Sequence, residues 1–226
     1  MRQPIPKPVL KELSPYLAVS LTTVKNYLRV DGTDEDEVIK AMIKAATAKL
    51  ETYTNRKFVN QKWDIFFDHF PCSYNQPDWE GVRDGALNML YSQGDQLHMP
   101  FGPLKTLLKF STFDDSSEYV FANSNLNVDT ASPFGIVSLK LGSVWPATIL
   151  RATNGIKVSA IFGMGEGSVP ANAENGTAEV ASQLPLDIQE AVKIFTAALY
   201  EHRGDEMPSL PSMVQLFLEP YRRVQV

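Results

Sequence analysis

A broad apolar stripe on one long predicted helix constrains the fold of this chain most. Between residues 34 and 54, apolar side chains recur every three or four positions, which is the spacing of an α-helix. The stripe consists of Ile39, Ile43, Ala46, Leu50 and Tyr53, widened by Val38, Met42 and Ala45. The opposite face, which we predict to be exposed to solvent, consists of Lys40, Lys44, Thr47 and Glu51. Such a wide stripe needs two neighbouring elements to cover it.

A second helical stripe lies far along the chain. It consists of Ile188, Ala191, Val192, Phe195 and Leu199. Because neither stripe can stay exposed to water, we expect the two helical regions to pack into one bundle. This predicts that Ile43 or Leu50 lies close to Phe195 or Leu199.

The sequence also predicts where the helices begin. Ser20 is a suitable N-cap for a short helix that contains Leu21, Val24 and Leu28. Thr33 is a suitable cap for the long helix, and the acidic run of residues 34–37 favours helix initiation because it complements the positive end of the helix dipole.

The sequence between the two helical regions has the pattern of β-structure. Alternating or short apolar runs, separated by Gly, Asn, Asp and Pro, predict strands at 61–68, 104–113, 119–122, 126–129, 136–141 and 156–162. We therefore expect an α+β fold, in which a small bundle of N- and C-terminal helices carries an inserted antiparallel sheet or sandwich lobe.

These patterns divide the chain into four parts. They are an extended arm at 1–18, a discontinuous helical bundle at 19–58 and 184–220, an inserted β lobe at 59–183, and a tail at 221–226. Within the lobe, polar or glycine-rich stretches at 72–95 and 163–183 are predicted to be loop excursions.

Candidate catalytic and ligand sites are weak. His69 stands three residues before Cys72, but no protease-type signature surrounds the pair. Residues 163–167 read Gly-Met-Gly-Glu-Gly, yet no helix is predicted directly after them, so we expect a flexible loop and no phosphate site. Asp114 and Asp115 fall at a predicted β-turn. His and Cys spacings fit no metal motif. We expect no catalytic residue, no cofactor and no metal.

Charge and composition exclude further classes. The formal net charge of −5 argues against a protein that grips nucleic acid by neutralising phosphates. The one cysteine of the sequence cannot form an internal disulfide, which fits a reducing compartment. Residues 1–8 lack the apolar segment of a signal peptide, and no apolar run is long enough to span a membrane.

The order of several short motifs resembles the head-tail connector (adaptor, or head-completion) proteins of tailed bacteriophages. The resemblance covers roughly residues 19 to 223. The motifs are the helix pair Leu21–Leu28 and Asp34–Tyr53 with its Tyr-Thr-Asn-Arg ending at 53–56, the strand Trp63–Asp68, Pro100–Leu104, Trp145-Pro146, the strand Ile156–Gly163, the helix from Leu184-Pro185 to Arg203, and Leu218–Arg222. The stretches at 72–95 and 163–183 look longer than the usual connections of that family.

The resemblance implies a virion structural protein of the neck, synthesised in the host cytoplasm. It implies a ring of identical subunits, usually a dodecamer, that binds beneath the portal protein, extends the channel for double-stranded DNA and provides the platform for a tail or stopper protein. We expect some acidic residues to face that channel. The basic tail, with Tyr221, Arg222 and Arg223, or the N-terminal arm is the candidate contact with the portal.

Other functions stay open at this stage. The chain could be another neck component, such as a stopper or tail-completion protein. A small enzyme or ligand-binding domain that uses the β lobe would need a deep pocket with convergent polar groups. A nucleic-acid-binding module would need a basic face.

Overall fold

The helices of the protein come from two distant stretches of sequence. A computed structural model of the chain describes residues 4–71, 96–146, 149–168, 180–203 and 209–222. The helices in these ranges are α1 (Leu21–Leu28), α2 (Asp36–Thr54), α3 (Leu186–Glu201) and α4 (Ser212–Leu218). A 3-10 turn at Glu219–Tyr221 follows α4. The predicted 72–95 excursion and the tail beyond Arg222 lie outside the described residues.

One hydrophobic core joins these helices. Ile43 and Leu50 of α2 are fully buried in the same cluster as Phe195 of α3, and Leu199 packs against it. Val214 and Leu218 of α4 are fully buried members of the same cluster. The prediction that the N- and C-terminal helices form one bundle is therefore confirmed.

The strands form two sheets. They are β1 (Lys7–Glu12), β2 (Gln61–Phe67), β3 (Gln96–His98), β4 (Leu104–Phe113), β5 (Glu118–Phe121), β6 (Leu126–Asp129), β7 (Ile136–Leu139) and β8 (Ile156–Phe162). A five-stranded sheet has the order β1-β2-β8-β4-β5, and a three-stranded sheet has the order β3-β7-β6. The pairs β1–β2, β4–β5, β3–β7 and β6–β7 are antiparallel. The α+β class with an antiparallel sheet insertion is confirmed.

Internal contacts divide the chain into two units. The sheet unit comprises Met1–Glu12 and Lys62–Ile161, and the helix unit comprises Leu13–Gln61 and Phe162–Val226. Residues 7–12, predicted to belong to an extended arm, pair with β2 as an edge strand. A sequence rich in proline and lysine gave no alternation by which to recognise β1, because all six of its residues are exposed.

Two local predictions about α2 are wrong. The helix begins at Asp36 without a side-chain cap, so Thr33 does not cap it. Thr47 and Glu51 do not lie on a solvent-exposed face, since only 8% of Thr47 and 4% of Glu51 is exposed. The segment that follows the helix folds back over this side: Glu51 accepts hydrogen bonds from Phe58 and Gln61. In contrast, Ser20 caps α1 as predicted, accepting the N–H of Thr23 at 3.0 Å.

The glycine-rich stretch after β8 is not a flexible loop over its described part. Leu17 and Ser168 exchange two backbone hydrogen bonds, of 2.9 and 2.6 Å. A Cβ added to Gly163 would lie 2.6 Å from the Cα of Asn60, and one added to Gly167 would lie 2.3 Å from a backbone oxygen of Leu17. The glycines thus allow close backbone packing inside the helix unit, which explains their presence without a phosphate ligand.

Candidate interaction surfaces

The histidines of the chain do not assemble a catalytic group within the described residues. His69 lies at the end of β2, and its Nδ1 is 3.0 Å from the carbonyl oxygen of Phe70. His202 contacts the carbonyl of Ala198 at the end of α3, and His98 is an exposed residue of β3. Cys72, the suggested partner of His69, lies outside the described residues, so that pairing stays untested.

Acidic side chains likewise form no metal cluster in the part of the chain that the structure describes. Asp114 instead organises the β4–β5 turn. Its Oδ1 accepts the N–H groups of Ser116 and Ser117 at 2.8 and 2.5 Å, and these bonds lower the pKa of the Asp114 carboxyl. The interpretation of residues 114–115 as a turn is confirmed.

A polar cluster ties the start of α2 to the end of α3. Arg203 donates two hydrogen bonds to the Glu35 carboxylate, at 3.1 and 3.2 Å, and Tyr200 donates a third. The guanidinium also lies 3.9 Å from the centre of the Tyr200 ring. The bond to Arg203 is the main reason that the pKa of Glu35 is lowered. Two of the four residues in the acidic run therefore have tertiary partners, since Asp36 also pairs with Lys25 at 2.5 Å.

A buried carboxylate fixes the chain where it leaves α2. Glu51 accepts the N–H of Phe58 at 2.8 Å and two hydrogen bonds from Gln61 at 3.0 and 3.1 Å, and Lys57 lies 3.3 Å away. Burial raises the pKa of Glu51, and the opposing attraction of Lys57 does not cancel this effect. Because donors from the segment that follows α2 converge on this buried carboxylate, we assign it a structural role.

The predicted portal-contact residues lie beside α2. Tyr221 ends the 3-10 turn and packs partly buried against the helix core. Arg222 is exposed, and its guanidinium stands 5.1 Å from the ring centre of Tyr53. Arg223 lies outside the described residues. Tyr221 thus contributes to the packing of the helix unit, whereas Arg222 presents its charge to solvent from a defined position.

Apolar side chains are exposed on each unit. In the sheet unit, the connection between β7 and β8 presents Leu141, Val144 and Ile149, each more than three quarters exposed. Between them, Trp145 stacks on Phe70 and Phe110, with ring centres 4.9 and 5.6 Å apart. In the helix unit, α4 exposes Met213 and Leu216. An anchored loop and a helix face of this kind are typical of protein-contact surfaces.

The five-stranded sheet has one face that carries charged side chains. Ser159 of β8 donates to the buried carboxylate of Asp64 on β2 at 2.6 Å, which shows that these two strands share the face. Lys157, two residues before Ser159, and Lys109 of β4 both pair with Glu118, at 3.1 and 2.7 Å. We call this surface the lysine-bearing face. The hydrogen bond from Lys109 is the main reason that the pKa of Glu118 is lowered to about 2.

Helices long and apolar enough to cross a bilayer do not occur in the described ranges.

Comparison with known proteins identifies the class of fold. Residues 18–79 match the family model described as "Phage gp6-like head-tail connector protein". A chain from the neck of the empty gene transfer agent (GTA) particle, computed with C6 symmetry, is 19% identical, with a TM-score of 0.69 and 97% of each chain covered. A chain from the virion of the native GTA particle is 19% identical, with a TM-score of 0.68 and coverage of 97% of this chain and 96% of that one.

A third similar chain comes from the neck of the native GTA particle computed with C12 symmetry. It is 20% identical, with a TM-score of 0.61 and coverage of 96% of this chain and 97% of that one. No curated protein matches the sequence. The resemblance inferred from the sequence is confirmed, at family level over residues 18–79 and at the level of the fold along nearly the whole chain.

Proposed function

We propose that this protein is a head-tail connector, an adaptor subunit in the neck of a tailed-phage-like particle. One observation carries the proposal: the fold matches, from one end of each chain to the other, a chain in the neck of GTA particles, and residues 18–79 also match the connector family. On this proposal the protein is made in the host cytoplasm, acts in the virion between portal and tail, and has a structural role without catalysis.

The subunits form a ring on this proposal. The similar chains come from necks computed with C6 and C12 symmetry, which supports a cyclic arrangement and, more specifically, a dodecamer. A ring closes only if each subunit offers two different surfaces that fit one another. We assign these surfaces to the loop containing Leu141, Val144 and Ile149 in the sheet unit and to the exposed side of α4 in the helix unit, both of which present apolar side chains.

The ring binds the portal protein on one side and a tail or stopper protein on the other, and double-stranded DNA passes through its channel. Imaging the purified protein mixed with its portal tests this directly. A ring seated on the portal is the expected result. A ring that binds a preassembled adaptor–portal complex but not the portal itself would favour the stopper or tail-completion role instead.

The C-terminal segment is our candidate for the portal contact. Arg222 is exposed and oriented by Tyr53, and the sequence places Tyr221 and Arg223 on either side of it. A chain shortened after Glu219 keeps the buried residues Val214 and Leu218 and so should retain the bundle. We expect it to lose affinity for portal.

A second variant tests the position of Arg222 separately from the presence of the tail. Tyr53→Leu removes the ring beneath the Arg222 guanidinium and keeps the tail, so a smaller loss of affinity is expected. Portal binding that is unchanged in the shortened chain would remove residues 220–226 from the interface.

A further inference from the structure

The connection between β7 and β8 begins with a tight turn that presents a leucine to solvent. Ser143 donates its backbone N–H to the carbonyl of Lys140 at 2.9 Å, and Gly142 has a φ of +82°, as in a type II turn. Leu141 lies at the first central position of this turn and is 87% exposed. The N–H of Lys140 is bonded to the carbonyl of Asn125 at 2.9 Å, so the base of the turn is fixed to the sheet unit.

A second exposed apolar side chain lies on the same connection. Val144 is 78% exposed, and the next residue, Trp145, is held by stacking on two phenylalanine rings. Leu141 and Val144 therefore lie between a closed turn and a stacked ring. Side chains that are ordered in advance lose less conformational entropy when they bind a partner. We call Lys140, Leu141 and Val144 the turn tip.

Helix α4 presents a row of three side chains to solvent. Met213 and Leu216 are three residues apart, which places them on one face of the helix, and both are more than half exposed. The fully buried Val214 and Leu218 fix the opposite side of the helix in the core. Glu219 is exposed three residues after Leu216, and its backbone is still helical, so its side chain continues the row. We call Met213, Leu216 and Glu219 the α4 ridge.

The charge at the edge of each surface is unpaired. Within the ranges that the structure describes, neither Lys140 nor Glu219 takes part in an ion pair or a side-chain hydrogen bond, and both are exposed. Arg222 is the cation nearest to Glu219 in the sequence, but its guanidinium stands 5.1 Å from the ring centre of Tyr53. The turn tip therefore offers a positive charge to a partner, and the α4 ridge offers a negative one.

These signs decide which contacts between two copies of the chain are favourable. Contact between two turn tips would bring two lysines together, and contact between two α4 ridges would bring two glutamates together. Like charges that meet at an interface are disfavoured. Contact between a turn tip and the α4 ridge of another copy joins opposite charges and four apolar side chains. Such a head-to-tail contact is the kind that closes a ring, whereas contact between identical surfaces stops at a pair.

We propose that the turn tip of one subunit docks on the α4 ridge of the next, and that Lys140 of the first forms an ion pair with Glu219 of its neighbour. This inference rests on the proposed connector function and deepens it, because it names the pair that sets the register between neighbours in the ring. The apolar side chains are buried by the contact, and the charged pair disfavours the wrong combinations of surfaces.

Charge reversal tests this pair, with assembly of the full chain on its portal measured by particle imaging. Lys140→Glu and Glu219→Lys each bring like charges together at every interface, so each should need about tenfold more subunit for half-maximal assembly. The double variant Lys140→Glu, Glu219→Lys restores opposite charges and should assemble within about threefold of wild type. A direct contact between Glu219 and the portal would not be restored by Lys140→Glu.

A mixture of the two single variants tests the head-to-tail arrangement. One variant carries a glutamate on both surfaces and the other carries a lysine on both, so only contacts between unlike subunits are favourable. An equimolar mixture should assemble within about threefold of wild type, with the two variants alternating around the ring. Native mass spectrometry of the released rings should find the two variants in equal numbers. A folding defect in either variant is not repaired by mixing.

The control is Lys44→Glu on α2, which makes the same change of charge at an exposed lysine outside both surfaces and should leave assembly within about twofold of wild type. The inference would be overturned by single variants that assemble like wild type, by an equal loss in Lys44→Glu, or by a lack of rescue in the double variant or in the mixture. A wild-type ring whose assembly ignores these charges would refute the pair alone. Failure of the wild-type chain to form a ring on the portal would instead refute the proposed function.

Discussion

Replacement of the buried carboxylate of Glu51 should destabilise the helix unit strongly. Only 4% of the residue is exposed, and its oxygens satisfy the N–H of Phe58 and the amide of Gln61 while facing the ammonium of Lys57. In Glu51→Ala these three donors lose their acceptor together. Removing one partner of a buried pair costs about 3–5 kcal/mol, and we expect a loss of that size in the free energy of unfolding.

Urea unfolding followed by far-ultraviolet circular dichroism measures this loss, because the helices dominate that signal. The matched control is Glu37→Ala on the same helix, where the side chain is 86% exposed and its pair with Lys40 is on the surface. This control should change the free energy of unfolding by less than about 0.5 kcal/mol. A Glu51→Ala variant within about 1 kcal/mol of wild type would refute the assigned role of the carboxylate.

The pH dependence of the same site has a defined sign. Burial raises the pKa of Glu51 above its ordinary value of 4.5, so the folded state binds its proton more tightly than the unfolded state does. The contribution of this group is therefore most favourable below pH 4.5 and is lost as the pH rises through the folded pKa. Glu51→Gln lacks this titration. The stability of wild type relative to Glu51→Gln should fall as the pH rises above 4.5, and a constant difference would contradict the raised pKa.

Three further outcomes are expected. Glu35, whose pKa is lowered chiefly by Arg203, stabilises the fold above pH 4.5 and loses that effect on acidification, so the difference in melting temperature between wild type and Glu35→Gln should shrink as the pH falls below 4.5. Phe195→Ala empties a fully buried core position and should cost about 3–5 kcal/mol in urea unfolding, whereas Leu186→Ala, at a residue 75% exposed, should cost little. Ser20→Ala removes the cap of α1 and should cost about 1 kcal/mol, measured in the same way; no change would mean that water replaces the cap.

The bundle was predictable because its periodicity leaves few alternatives. The stripes that contain Ile43 and Phe195 are each too broad for a single contact, so two separated helices had to meet. The six strands predicted from alternation end within two residues of the observed bounds, as at 104–113 and 156–162. Turn residues between short apolar runs define such strands well.

The wrong predictions for Glu51 and for strand β1 share a physical cause, which is a tertiary contact that the local sequence pattern does not encode. Glu51 looks like a solvent-facing helix residue until Phe58 and Gln61 return across it. Strand β1 has no buried side chain, so only its pairing with β2 reveals it.

The surfaces were less predictable than the core. The net charge of the chain argued against a protein that grips nucleic acid, but it carried no information on where single charges meet. Lys109 and Lys157 both pair with Glu118, although they lie on strands that are far apart in sequence, because strand order and not sequence order brings the side chains together. Arg222 stood out in the sequence as half of a basic pair near one end, and its role as a portal contact stays a prediction.

The discontinuous core of the helix unit also has a consequence for biosynthesis. The stripe of α2 is complete once Tyr53 has been added, but its cover on α3 begins at Leu186. At ordinary rates of translation, the intervening stretch of about 130 residues takes roughly 7 to 27 s to make. Throughout that interval the nascent helix must be shielded by the ribosome or by chaperones. A subunit still attached to the ribosome before Val214 and Leu218 emerge has no finished bundle, so it is not competent to join a growing particle.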